Sequence, residues 1–154
     1  LLGGPDNLQL ACTGLAWRDE DRQLFDRLGI ASQVRLFQAT DETLAQLYRH
    51  AELFVFPSLY EGFGIPVLEA FACGCPAALA RSSSLPEVGG EAAAYFDPES
   101  TEEIRETLRR LLDSPAERQR LASLGLERER SFSWDRCASA TKAVYGRALG
   151  QRRP

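Results

Sequence analysis

Short apolar runs bounded by Gly, Pro, Asp or Ser recur along the N-terminal and central parts of the chain. Runs of this length and composition are typical of buried strands. They lie at residues 8–14 (LQLACTG), 33–38 (QVRLFQ), 52–57 (ELFVFP), 76–80 (PAALA) and 92–97 (AAAYFD). Segments of helical character lie between them at residues 19–28, 41–50 and 66–73. Because strands and helices alternate, we expect an α/β fold with a parallel sheet.

The pattern changes to helices alone after Pro98. Ser100 and Thr101 precede an acidic first turn, Pro115 begins a second helical segment, and a serine-containing stretch begins a third. These are the usual signals of helix N-termini. We therefore interpret residues 1–154 as one partial domain, with strand and helix alternation over residues 8–97 and C-terminal helices over residues 100–149.

Composition narrows the class of protein. The chain has 154 residues, 44% of them hydrophobic, which is enough for one sizeable core. Its net charge of −4 argues against a general nucleic-acid-binding surface. No apolar run reaches the roughly 18 to 20 residues of a membrane-spanning helix, and the first residues lack the pattern of a signal peptide. We expect a cytoplasmic protein that binds no nucleic acid.

The cysteines and the histidine indicate no reactive site. Cys12, Cys73, Cys75 and Cys137 include no C-x-x-C pair, so we interpret them as reduced core thiols, with zinc or a disulfide as the alternative. His50 follows a helical segment without a Ser, Cys or Asp partner at a telling spacing, so a structural or surface role is favoured over that of a general base.

One stretch, PSLYEGFGIPVLEAFACGCP at residues 57–76, carries candidate chemistry. It follows a predicted strand, and ligands of parallel α/β sheets bind at the carboxyl ends of the strands. Gly62 and Gly64 allow close backbone approach, and the following helix N-terminus favours phosphate. Glu61 and Glu69 are suited to two ends of one elongated polar ligand with hydroxyl groups. Alternatively, Glu69 complements the helix dipole and Glu61 is a solvated loop charge.

Neighbouring residues allow more than one interpretation. Tyr60 either packs on a sugar or nucleotide or belongs to the core, while Phe63 is expected to shape the turn. Arg81 and the serines at 82–84 follow the next predicted strand. They could contact an anion, but a simpler interpretation is that serine and Glu87 cap a short helix.

The string FVFPSLYEGFGIPVLEAFACGCP closely resembles the Glu-x7-Glu signature of glycogen-synthase-like, family-4 (group 1) retaining glycosyltransferases. The resemblance extends through QVRLFQATDETLAQLYRHAELFVFPS, SSSLPEVGGEAAAYFDPES and SFSWDRCASATKAVYGRAL, and so covers nearly the whole chain. It implies the Rossmann-like, sugar-nucleotide-binding C-terminal half of a GT-B enzyme. The activity it implies is retaining transfer of a hexosyl group from a nucleoside-diphosphate sugar, in polysaccharide or glycan biosynthesis.

The resemblance also implies roles for individual residues. Glu61 would be the catalytic carboxylate that touches hydroxyls of the donor sugar, and Glu69 would hold the ribose. Gly62 would allow close approach of the donor. The backbone amides that would face the sugar belong to Phe63, Gly64 and Ile65, those that would face the diphosphate belong to Val67 and Leu68, and the loop that would line the nucleobase is Gln38, Ala39 and Thr40. No metal and no cofactor beyond the donor substrate are implied.

Parts of the family pattern are absent from these residues. The family begins this domain with a strand and helix that bear an Arg and a Lys for the diphosphate, and nothing before Leu8 matches them. In the family's 3-2-1-4-5-6 sheet that strand is central, so we expect a gap in the sheet. The N-terminal acceptor-binding domain is the implied partner and offers a route to peripheral membrane association. We expect the fragment alone to be inactive.

Two alternatives to a hexosyltransferase remain open at this point. One is a non-catalytic module that binds a nucleotide sugar or regulates another protein. The other is a different GT-B enzyme, such as an epimerase or a relative of the phosphorylases.

Overall fold

The computed structural model describes residues 8–150, which form two compact units, one ending at Ala51 and one beginning at Glu52. The strands are β1 (Leu10–Thr13), β2 (Val34–Phe37), β3 (Phe54–Phe56), β4 (Ala77–Ala80) and β5 (Ala93–Phe96). The helices are α1 (Asp19–Leu28), α2 (Asp41–His50), α3 (Ile65–Ala72), α4 (Leu85–Gly89), α5 (Thr101–Asp113), α6 (Pro115–Glu129) and α7 (Trp134–Gly150). Each of the five predicted strands is present.

All strand pairs are parallel, as the alternation of strands and helices predicted. The strands form two sheets, one with the order β1-β2 and one with the order β3-β4-β5. These neighbours are those of the predicted 3-2-1-4-5-6 order, when β1 and β2 are taken as its second and third strands. The alternation of strands and helices therefore predicted the direction of the strands, and the family resemblance predicted which strands are adjacent.

The first unit contains β1, β2 and the two helices that follow them. Leu10 pairs with Val34 in the register of the sheet. Trp17, just before α1, packs edge to face against Phe25 with ring centroids 5.0 Å apart. Helix α2 begins where the Thr40 hydroxyl accepts a hydrogen bond from the Thr43 amide, which is the usual N-cap arrangement.

The second unit is built around β4, whose four residues are all buried. β4 lies between β3 and β5, so both of its edges are paired and both of its faces are covered. The largest fully buried side chains of the surrounding core are Phe71, Leu79, Leu85, Phe96, Leu111 and Leu121. These side chains come from α3, β4, α4, β5, α5 and α6, and the partly buried Phe54, Val55 and Phe56 of β3 pack against the same core. One hydrophobic core therefore holds every strand and helix of this unit except α7, which has no buried residue.

Arg118 joins α6 to the end of α5. Its guanidinium donates to the carbonyls of Leu111 and Leu112 at 2.8 and 2.7 Å. These are among the last carbonyls of α5, which have no partner within the helix, so a cation there is favourable. Arg118 also forms an ion pair with Glu52 at 2.6 Å.

The cysteine prediction is correct for Cys75 and wrong for Cys137. Cys75 is buried, and that burial raises the pKa of its thiol to about 12. Cys137 is exposed because α7 buries none of its residues. Cys12 and Cys73 are partly buried, and all four cysteines are free thiols.

Two further expectations concern His50 and membrane crossing. His50 is exposed at the end of α2, and its Nδ1 atom lies 2.9 Å from the Gln46 carbonyl oxygen, in agreement with a surface role. Across residues 8–150, no helix combines the length and apolar character needed to cross a membrane.

We predict that Gly125→Ala destabilises the protein, because a Cβ atom there would lie 2.7 Å from Phe71 Cδ1 in the buried contact between α3 and α6. The expected loss is about 1–3 kcal/mol of unfolding free energy, the usual cost of overpacking. The measurement is urea unfolding followed by circular dichroism.

Gly146→Ala is the matched control, since within the described chain a Cβ at this α7 position meets nothing within 4 Å. There the substitution should raise stability slightly, by about 0.5–1 kcal/mol, because glycine is a poor residue for a helix interior. Equal effects of the two substitutions would contradict the packing argument.

Candidate functional site

The loop at residues 57–64 joins the end of β3 to the start of α3. The next loop, residues 81–84, joins β4 to α4. Because β3 and β4 are parallel neighbours, their carboxyl ends lie at the same edge of the sheet and bring the two loops together. We call residues 61–64 the glutamate turn and residues 82–84 the serine loop.

Gly64 ends the glutamate turn in the left-handed conformation, with φ 96° and ψ 50°, and is the N-cap of α3. A Cβ atom at this position would lie 2.8 Å from Leu85 Cδ2. Glycine is therefore required at position 64 for two reasons: the backbone dihedrals are left-handed, and Leu85 leaves no space for a side chain. The close approach of backbone to Leu85 also fixes where α3 begins.

The first turn of α3 offers fewer amide donors than the sequence suggested. Pro66 has no N–H. The Val67 amide donates to the Gly64 carbonyl at 3.0 Å. The Ile65 amide, at the first helical position, lies in the part of the helix where amides have no partner within the helix.

The two candidate carboxylates lie on either side of Gly64. Glu61 is half-buried in the glutamate turn, whereas Glu69 is exposed on the second turn of α3. Of the predicted donor-binding residues around them, Phe63 and Ile65 are 43% and 51% exposed, and Gly62 is also exposed. Val67 is fully buried, so it can contribute only backbone groups to a ligand.

The serine loop donates hydrogen bonds to backbone carbonyls of the neighbouring loop. The bonds run from Ser82 Oγ to Ser58 O (2.8 Å), from Ser83 Oγ to Glu61 O (2.6 Å), and from Ser84 Oγ to Glu61 O and Phe63 O (both 3.0 Å). The prediction that serine caps α4 is wrong, because Ser84 occupies the N-cap without a side-chain capping bond. Its hydroxyl is directed to the glutamate turn instead.

An aromatic pair supports the glutamate turn from α6 and the turn that follows it. Phe63 meets Phe132 edge to face, with ring centroids 5.8 Å apart. The guanidinium of Arg128 lies 5.0 Å from the Phe132 centroid and donates to the carbonyls of Glu87 and Val88 in α4. No role for Arg128 or Phe132 could be predicted from the sequence, because the partners of both residues lie far away along the chain.

Arg81 and Tyr60 lie on the outside of this edge. Arg81 is exposed, with its guanidinium 5.9 Å from the Tyr95 ring centroid. Burial raises the pKa of the Tyr95 hydroxyl, against the opposing charges of Arg128 and Arg81, and that hydroxyl donates to the Gly90 carbonyl. Tyr60 is 80% exposed, so the core interpretation of this residue is wrong.

The predicted nucleobase loop, Gln38 to Thr40, belongs to the first unit. The Gln38 side-chain amide donates to the Leu15 carbonyl at 3.2 Å, and the Thr40 hydroxyl caps α2. Both side chains therefore have structural partners, which leaves backbone groups as the means of base recognition. That recognition stays a prediction.

No cluster of three His, Cys, Asp or Glu side chains in residues 8–150 has the arrangement of a metal site. The edge formed by the glutamate turn and the start of α3 presents carboxylates and backbone amides, which are groups that bind hydroxylated or anionic ligands.

A model of the family described as Glycosyl transferases group 1 matches residues 5–128, most of the chain. The chain belongs to this family. Among its relatives is the MMP alpha-(1->4)-mannosyltransferase of Mycolicibacterium hassiacum, 42% identical over 134 residues that cover 84% of this chain and 33% of that protein. The D-inositol 3-phosphate glycosyltransferase of Streptomyces griseus is 35% identical over 159 residues, 99% of this chain and 32% of that protein. The chain thus spans about a third of these relatives.

Solved structures of other proteins share the fold. Sucrose-phosphate synthase from Thermosynechococcus elongatus superposes with a TM-score of 0.80 at 26% identity, covering 93% of this chain and 39% of that chain. Anabaena Alr3699/HepE in complex with UDP superposes with a TM-score of 0.74 at 21% identity, covering 82% and 37%. These proteins have the GT-B fold, which confirms the predicted fold class.

We predict that Gly64→Ala lowers the free energy of unfolding by about 2–4 kcal/mol, because left-handed dihedrals are costly for alanine and its Cβ would clash with Leu85. Gly64→Val, with a branched side chain, should be worse. Urea unfolding measures the effect.

Gly62→Ala is the matched control in the same turn, since its Cβ would meet no heavy atom of the described residues within 4 Å and its φ is not left-handed. It should change stability by less than about 0.5 kcal/mol. Equal losses for the two variants would show that neither conformation nor space at Gly64 matters.

Proposed function

We propose that this chain is the sugar-nucleotide-binding domain of a retaining hexosyltransferase. It binds a nucleoside-diphosphate sugar, and the hexose passes to an acceptor held by an N-terminal domain of the same protein. Membership of the glycosyl transferases group 1 family supports the transferase class. The observation that carries the proposal is the placement of Glu61 and Glu69 on either side of the left-handed Gly64 at the start of α3.

Glu69 is proposed to hold the ribose. Its carboxylate is exposed on α3 and offers acceptor oxygens for two adjacent hydroxyl groups. Charged hydrogen bonds of this kind are stronger than neutral ones. Glu69 therefore contributes to affinity for any ligand that contains the nucleoside.

Glu61 is proposed to act on the hexose. It lies in the glutamate turn, ahead of the helix, and its half-buried position restricts the carboxylate more than a loop charge in open solvent. A negative charge beside the sugar stabilises the positive charge that develops on the ring as the glycosidic bond to the diphosphate breaks.

The diphosphate is proposed to lie against the N-terminus of α3. The absence of a side chain at Gly64 lets the phosphates approach the backbone, and the helix dipole favours their negative charge. The amide of Ile65, like those of Phe63 and Gly64, is proposed to face the sugar. The amides of Val67 and Leu68, in the first turn of α3, are proposed to bind the diphosphate. The Val67 amide also donates to the Gly64 carbonyl, so a phosphate oxygen would share this donor.

The relatives suggest which donors to test first. Relatives from Mycolicibacterium hassiacum and Escherichia coli are named mannosyltransferases, and the fold neighbour Alr3699/HepE was solved with UDP. A mannosyl donor is therefore the first candidate for the hexose. The proposal places the protein in the cytoplasm, where nucleotide sugars are made.

The direct test is calorimetric titration of the full-length protein with GDP-mannose, UDP-glucose and ADP-glucose, followed by product analysis with mixed acceptors. We expect one of the three donors to bind. Its sugar should be transferred with retention of the anomeric configuration. Binding without transfer would favour the non-catalytic module, and binding of none of the three donors would count against the proposal.

We predict that Glu69→Ala weakens binding of the free nucleoside diphosphate by roughly 10- to 100-fold, since hydrogen bonds to a charged group contribute about 1.5–3 kcal/mol. Calorimetry on the folded variant measures this loss. Glu127→Ala removes another exposed helical carboxylate, on α6, and should leave affinity unchanged. If the Glu69 variant binds the nucleoside diphosphate with wild-type affinity, Glu69 does not bind the ribose.

We predict that Glu61→Ala spares binding of the free nucleoside diphosphate and lowers kcat for sugar transfer at least 100-fold, because its partner is the hexose. Steady-state kinetics with the preferred donor and titration with the bare nucleotide separate the two effects. Transfer at the wild-type rate would show that Glu61 is a solvated loop charge.

A further inference from the structure

We propose that Ser83 and Ser84 are positioning residues that orient the backbone amides of the glutamate turn toward the donor. This inference rests on the proposed function, since it concerns how the same site holds the sugar and phosphate oxygens. The serines do not touch the donor themselves. They act through the carbonyls of Glu61 and Phe63.

The Glu61 carbonyl is fully used by the serine loop. Ser83 Oγ lies 2.6 Å and Ser84 Oγ 3.0 Å from this oxygen. A carbonyl oxygen has two lone pairs, so two hydroxyl donors satisfy it. Ser84 Oγ lies at the same 3.0 Å from the Phe63 carbonyl, so its one proton is shared between the two acceptors.

Fixing these two carbonyls also fixes two amides. The peptide unit is planar and trans, with no cis peptide in the described chain, so its C=O and N–H point in opposite directions. The Glu61 carbonyl points to the serine loop, so the N–H of Gly62, which belongs to the same peptide unit, points away from the serine loop. The Phe63 carbonyl also points to the serine loop and turns the Gly64 N–H to the same side.

These amides have no acceptor within the described part of the chain. Among residues 8–150, no backbone or side-chain oxygen accepts a hydrogen bond from the N–H of Gly62, Phe63 or Gly64. Gly64 is a buried residue, and unpaired amides in buried positions are uncommon in proteins. A ligand oxygen at this edge would satisfy them, as backbone donors do for sugar hydroxyl and phosphate oxygens.

The conformation of Ser83 also supports a positioning role. Its φ is 52°, and no other non-glycine residue in the described chain has a positive φ. Such backbone strain persists only where surrounding contacts hold it, and it clusters at functional sites. Here the contacts are the 2.6 Å bond to Glu61, the bond from Ser82 to the Ser58 carbonyl, and buried Leu85 directly after the loop.

The experiment compares four variants of the full-length protein: Ser83→Ala, Ser84→Ala, the double variant, and Ser83→Gly. Ser123→Ala is the control, because Ser123 Oγ also donates to a backbone carbonyl, that of Gln119, on the exposed side of α6. For each variant we measure the Kd for the preferred sugar nucleotide, the Kd for the nucleoside monophosphate of the same base, kcat, and the unfolding midpoint.

The double variant should bind the sugar nucleotide and turn it over about tenfold less well, while its Kd for the nucleoside monophosphate stays within about twofold of wild type. Ser83→Gly relieves the left-handed strain, so it should unfold no earlier than wild type and still lose sugar-nucleotide affinity. Ser123→Ala should match wild type in every measurement.

Three outcomes would overturn the inference. If the double variant binds and transfers the sugar as well as wild type, the serines do not position the amides, although the proposed function stands. If the affinities for the sugar nucleotide and for the nucleoside monophosphate both fall, and the unfolding midpoint falls with them, the serine loop has only a structural role. If the wild-type protein binds no sugar nucleotide, the proposed function fails and this inference fails with it.

Discussion

The close contact between the Gly64 backbone and Leu85 is the constraint on which the site depends. A Cβ at position 64 would lie 2.8 Å from Leu85 Cδ2, and Leu85 is itself fully buried. The left-handed turn therefore cannot move outward without losing a core contact, nor inward without a clash. The start of α3 is therefore held against the hydrophobic core, together with Glu61 in the glutamate turn and Glu69 in α3.

The hydrophobic core also holds the serine loop in place from both ends. β4 is buried along its whole length and ends directly before residues 81–84, while α4 begins with buried Leu85. A loop anchored at both ends in this way can donate hydroxyl groups at fixed positions. Arg128 adds a second anchor, since it joins α6 to the last carbonyls of α4 and lies over Phe132, which packs on Phe63.

Local patterns were sufficient to predict the strands and helices, because short apolar runs and polar caps are properties of neighbouring residues. They failed where a distant partner decides the outcome. Serine before a short helix usually caps it by accepting a hydrogen bond from an amide of the first turn. The Ser84 hydroxyl instead lies 3.0 Å from the carbonyls of Glu61 and Phe63, to which it donates, and it accepts no capping bond. Cys137 was predicted in the core, but its helix contributes no buried residue. Arg128 lies 40 positions from Val88, and no sequence motif connects them.

The candidate site is made largely of backbone groups whose direction is set by side chains outside it. Glu61 and Glu69 could be proposed from the sequence because a carboxylate is a chemical signal in itself. An amide gives no such signal, since every residue except proline has one, and what distinguishes those of Gly62 and Gly64 is their orientation. That orientation follows from carbonyls bonded to serines more than 20 positions away. If the proposed site is correct, Gly64, Ser83 and Ser84 matter to ligand binding alongside the two carboxylates, although the two serines do not touch the ligand.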